Sequence, residues 1–165
     1  MNVVYQEKLF SGLLTVIPGV LGLAVLGVFV YGQGSDIFSN PTAKWYFLGT
    51  GLFVLLAAIN FAFLNIRVSY SGIQVRFGLF SHFTPASDID GSYLDRQSSV
   101  SYGGFGIRFA SVNGKRRLVY NVTNAPRVVI THRKNPDHEF VFSTRNPDAV
   151  MQAIGQIFGT PSRTR

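Results

Sequence analysis

The chain of 165 residues is 47% apolar or aromatic and only 14% charged. Soluble domains carry about 25% charged residues, so this composition points to a chain lying partly in lipid and excludes intrinsic disorder. The length excludes two full globular domains, and the absence of cysteine excludes a disulfide framework, a thiolate metal site and a cysteine nucleophile.

From Leu9 to Tyr31 the chain runs 23 residues without a charge, longer than the roughly 20 residues that cross a bilayer as a helix. A second uncharged run, Trp45 to Asn65, opens on paired aromatics suited to the membrane interface. The two runs predict a membrane hairpin over residues 1–65, with helices at about 9–31 and 45–65. The link Gly32 to Lys44 is rich in Gly, Ser, Asn and Pro and carries one Asp36 and one Lys44, as a short polar connection should. A cleavable signal peptide competes for the first run, but the run exceeds the usual apolar stretch and no A-x-A-like site follows.

Thirteen of the fifteen Lys and Arg residues follow the second run. The positive-inside rule therefore predicts an integral protein of the cell membrane with both termini cytoplasmic. Gly51, Ala58 and Ala62 fall on one helical face, where small side chains let backbones approach. Their expected partner is the first helix, through Gly12, Gly19 and Gly27; a homodimer seam is the competing use.

After Asn65 the texture becomes β-branched and aromatic residues alternating with polar ones, which predicts antiparallel strands. Expected strands are 66–70, 73–77, 89–97, 106–112, 115–122, 127–133 and 138–143. Asn113-Gly114 marks one tight hairpin and Ser71-Gly72 another. Asn146, Pro147 and Asp148 then combine an N-cap, a first-position proline and a first-turn acid, predicting a helix to Phe158. Val150, Met151, Ile154, Ile157 and Phe158 form its apolar stripe, and residues 160–165 are a basic tail.

The segments Val75-Arg76-Phe77-Gly78-Leu79-Phe80, Asp88-Ile89 and Tyr102-Gly103-Gly104-Phe105-Gly106-Ile107-Arg108 follow a two-span hairpin. Tyr120-Asn121-Val122 comes next, and then Thr144 with Pro147, Ala153 and Ile154. In this the chain resembles prokaryotic membrane proteins bearing a bacterial pleckstrin-homology-like domain. It departs from their I-P pattern at Thr84-Pro85. The resemblance implies a seven-stranded antiparallel barrel or sheet over residues 66–159, capped by the C-terminal helix, and a membrane-anchored binding or assembly module.

Two candidate binding segments stand out. Tyr102, Gly103, Gly104 and Gly106, with Arg108, could bring backbone N–H groups to an anion. The third glycine of a dinucleotide loop is absent, so a turn requiring positive φ is the competing account. Lys115, Arg116 and Arg117, with Arg127, Arg133 and Lys134, concentrate positive charge. Anionic lipid headgroups, a membrane protein partner and a plain solvated strand face compete as its explanation. Nucleic acid is disfavoured by the lack of an aromatic-basic recognition motif. His132 and His138 could approach one another across the 134–137 turn, two ligands where zinc takes three or four. No nucleophile elbow, P-loop or kinase set occurs. The expectation is a non-catalytic module without cofactor or metal, the alternative being an accessory subunit held in a larger complex by its helices.

Overall fold

The computed structural model describes residues 3–34, 38, 40 and 42–159. Asp36 of the link and the basic tail 160–165 lie outside the described residues. Two helices, α1 (Gly12–Gly32) and α2 (Ala43–Asn60), are each long and apolar enough to cross a membrane. At 1.5 Å per residue they measure about 31 and 27 Å, close to the thickness of a hydrocarbon core. Large apolar side chains on both, such as Leu23, Val30, Phe53 and Leu56, are exposed. That is unlike the core helices of a soluble protein.

The first helix starts later than the uncharged run suggests. Leu9 and Phe10 belong to a strand, β1 (Val3–Phe10), that pairs antiparallel with β2 (Phe63–Ser69). The second helix also ends early, because the chain leaves it at Phe61 and enters β2 two residues later. The expected boundary at residue 65 is thereby corrected. One compact unit is Gly12–Ala62, and the other joins the chain on both sides of it.

The β unit holds two sheets, not one seven-stranded barrel. The first has the order β1-β2-β3-β4, with β3 at Gly72–Phe77 and β4 at Phe80–Pro85. The second has the order β5-β8-β9-β7-β6, built from β5 (Ile89–Asp95), β6 (Gly106–Val112), β7 (Lys115–Asn121), β8 (Arg127–His132) and β9 (His138–Ser143). Seven of these nine strands match expected ones; β1 and β4 are additional. All pairings are antiparallel except β7 with β9, which run parallel because the β8–β9 hairpin folds back and inserts β9 beside β7.

Between the sheets the strands bury alternate residues. Leu64, Ile66 and Val68 of β2 and Ile73, Val75 and Phe77 of β3 are buried, as are Val128, Ile130, Phe140 and Phe142 of the second sheet. Phe77 stacks on Tyr120 with ring centroids 6.1 Å apart. Helix α3 (Pro147–Phe158) packs against β1 and β2 of one sheet and β5 and β8 of the other, burying Val150, Ala153 and Ile154. It ends at Gly159, whose φ of 61° is left-handed. Asn146 occupies the N-cap, but its side chain does not cap the helix. Instead the Thr144 hydroxyl accepts from the Asn146 N–H at 3.2 Å.

Candidate functional site

The glycine segment proves to be a turn. Gly103, Gly104 and Gly106 have φ of 73°, 104° and 90°. A Cβ on Gly103 or Gly104 would meet nothing within 4 Å. Backbone conformation, not close approach, therefore selects glycine at these two positions. Arg108 is exposed, and its Nε donates to the Phe105 carbonyl at 3.0 Å.

The turn serves to fold the chain back over one face of the second sheet. There Tyr102, 2% exposed, packs with Val112, Val119, Val129 and Val141. An ion network borders this small core. Asp95 accepts from Arg127 Nε at 2.7 Å, from the Tyr102 hydroxyl at 3.0 Å and from Arg117 Nη1 at 3.5 Å. Glu139 accepts from Arg117 Nε at 2.8 Å, from Lys115 Nζ at 2.7 Å and from the Tyr93 hydroxyl at 3.0 Å. Strand pairing sets this up, since Asp95 lies opposite Arg127 and Arg117 opposite Glu139.

Arg117 and Tyr102 are thus interior residues, and the expectation that they lie on a binding surface is corrected. Asp95 is likewise buried. Burial and the Asp95 charge push the Tyr102 hydroxyl up to about 12, and burial and Glu139 do the same to Tyr93. Burial alone would raise Glu139, but the Lys115 hydrogen bond and the Arg117 charge outweigh it and hold the carboxyl below its ordinary value.

The opposite face of the same sheet carries a cleft of about 650 Å³. Its lining includes His82 of β4 and Phe109, Ala110 and Ser111 of β6, edge strands of the two sheets, which do not pair with each other. Alternation along β7 turns Arg116 and Leu118 to this face while Arg117 and Val119 point to the ion network. All three histidines of the chain line the cleft: His82 from β4, His132 from the end of β8 and His138 from the start of β9. The His82 ring lies 4.2 Å from that of Phe140. Burial, and then the neighbouring His132, lower its pKa below the ordinary imidazole value.

His132 Nδ1 stands 3.0 Å from Asp88, whose other oxygen accepts the Lys134 N–H at 2.9 Å. Burial would raise Asp88, yet these two hydrogen bonds prevail and keep it low. No group of three or more His, Asp or Glu side chains among the described residues is arranged to hold a metal ion. His132 and His138 do share one cleft, as the 134–137 turn suggests; His82 joins them through a strand that the sequence does not announce.

In the helical unit, a Cβ on Gly51 would lie 2.6 Å from the Leu26 side chain, and one on Gly22 would lie 2.8 Å from Leu55. Gly51 therefore faces the first helix as expected, and Ala58 is buried; Ala62, expected on the same helical face, is buried but lies past the end of the helix at Asn60. Its partner is Gly22, not Gly12, Gly19 or Gly27, around which nothing lies within 4 Å of a Cβ.

No family model, curated protein or solved structure matches the chain.

Proposed function

We propose that this protein is a membrane-anchored, non-catalytic binding module of pleckstrin-homology-like kinship, displayed at the cytoplasmic face of the cell membrane. The observation that carries this reading is the pairing of β1 with β2. Phe10 lies opposite Phe63 in one ladder, although the two apolar helices separate them in sequence. A chain that crosses the bilayer twice and returns to the same sheet has all its β structure on one side. The concentration of Lys and Arg after the second helix supports the cytoplasmic side.

The outer face of the first sheet supports contact with anionic headgroups. Lys8, Arg67 and Arg76 are all exposed there, on adjacent strands close in sequence to the helices. Cations near an anionic leaflet contribute about 1 kcal/mol each. The accessory-subunit reading is less well supported, because Gly51 is already engaged by Leu26 of the same chain.

Crosslinking in cells followed by isolation in mild detergent tests the module. We expect a stoichiometric protein partner or anionic lipid to co-purify, and to be reduced by Arg108→Ala with Arg116→Ala. Recovery of the bare chain, with no affinity for anionic liposomes, overturns the reading.

A further inference from the structure

We infer that the cleft between β4 and β6 is a binding site for a single-chain amphiphilic anion, a molecule with one phosphate or carboxylate head and one apolar chain. The inference rests on the reading of the β unit as a binding module and adds the class of its ligand. Strand register carries it. Ser111, Arg116 and His138 stand in one cross-strand row, because Ser111 pairs with Arg116 and Arg116 with His138. Two residues further in, Phe109 pairs with Leu118 and Leu118 with Phe140. The floor therefore carries a cationic and polar row beside an apolar one, with all six side chains on one face.

The charges in the cleft are unequal. The one carboxylate turned to the cleft, Asp88, is already engaged by His132 and the Lys134 N–H, while Glu139 turns to the opposite face with Lys115 and Arg117. Arg116 is exposed, and neither its guanidinium nor the His138 ring has a protein partner among the described residues. What remains for a ligand is a free guanidinium beside a free imidazole, donors suited to an oxyanion. Phe109, 85% exposed on an edge strand, presents its ring to solvent beside them. A volume of about 650 Å³ falls within the range of small-molecule sites, roughly 300–1,000 Å³.

The test uses the full chain in nanodiscs of zwitterionic lipid, titrated with octyl phosphate. Inorganic phosphate supplies the head alone and octanol the chain alone. Binding is read in the imidazole region of an NMR spectrum, where the chain has only three histidines to assign. We expect octyl phosphate to shift His138 saturably and inorganic phosphate to bind at least about tenfold more weakly. Arg116→Ala and Phe109→Ala, both on the surface, should each weaken octyl phosphate by roughly tenfold or more, and Arg96→Ala, exposed and outside the cleft lining, should leave it unchanged.

Absence of a saturable shift overturns the proposal, as does equal affinity for inorganic phosphate or indifference to both variants. A protein partner that still co-purifies in that case leaves the binding-module reading standing. A histidine shift produced only by an extended acidic peptide would transfer the cleft to a protein ligand and also overturn it.

Discussion

The Thr144 hydroxyl donates to the Glu7 carboxylate at 2.5 Å across 137 residues of sequence. Glu7 also accepts the Arg145 N–H at 2.9 Å and the Tyr5 hydroxyl at 2.8 Å. The strand before the first helix thereby holds the turn that launches the last one. Thr144 is fully buried, so its hydroxyl has no water to fall back on.

Glu7→Ala should accordingly destabilise the β unit by about 1–3 kcal/mol, the cost of a buried donor left unpaired. Lys8→Ala, on the opposite face of the same strand, should cost under about 0.5 kcal/mol. Denaturant or thermal unfolding of the full chain in detergent measures the difference, and equal effects of the two substitutions would refute it.

Neighbouring arginines on β7 should behave in opposite ways. Arg117→Ala strands Glu139 and weakens the hold on Asp95, and removing one partner from a buried pair typically costs about 3–5 kcal/mol. Arg116→Ala removes an exposed side chain and should change stability by less than about 0.5 kcal/mol. Unfolding midpoints of the two variants decide this directly.

His82 should titrate below 6.5, the ordinary imidazole value, because burial and His132 both oppose its charged form. The unfolded chain then binds a proton more readily than the folded one. Stability from this group is complete above 6.5 and is lost as the pH falls through the lower folded value. The carboxyl of Glu139 contributes in the same sense further down, below its ordinary 4.5. An imidazole titration that places His82 at or above 6.5 would contradict the assignment.

Bulk at the helix contact should be costly only where the helices meet. Gly51→Leu or Gly22→Leu should destabilise the helical pair by about 1–3 kcal/mol, as overpacking does. Gly19→Leu and Gly27→Leu should be tolerated, since nothing lies near those positions. Thermal stability in detergent, read by helical signal, separates the two classes.

Local signals made much of this fold legible. The bounds of β6, β9 and α3 follow from turn and cap residues beside them, and Asn113-Gly114 closes its hairpin with φ of 53° and 77°, as a type I′ turn needs. What was not legible depends on distant partners. Leu9 and Phe10 merge with the apolar run in sequence, and only their opposites on β2, Leu64 and Phe63, make them strand residues. Arg117 looks like its neighbours Lys115 and Arg116 until Asp95 and Glu139, both 22 residues away, are brought beside it. The cleft is equally hidden, because its rows arise from the parallel pairing of β7 with β9, which no local pattern encodes.

The β1–β2 ladder has a consequence for biogenesis. The connection between these two strands is the entire helical unit, so the first sheet cannot be completed until both helices have been synthesised and β2 has followed them. Until then β1 has no strand partner, and Glu7 has neither Thr144 nor Arg145 to bind. An unpaired strand edge is of the kind that invites aggregation, and pairing with β2 covers that of β1.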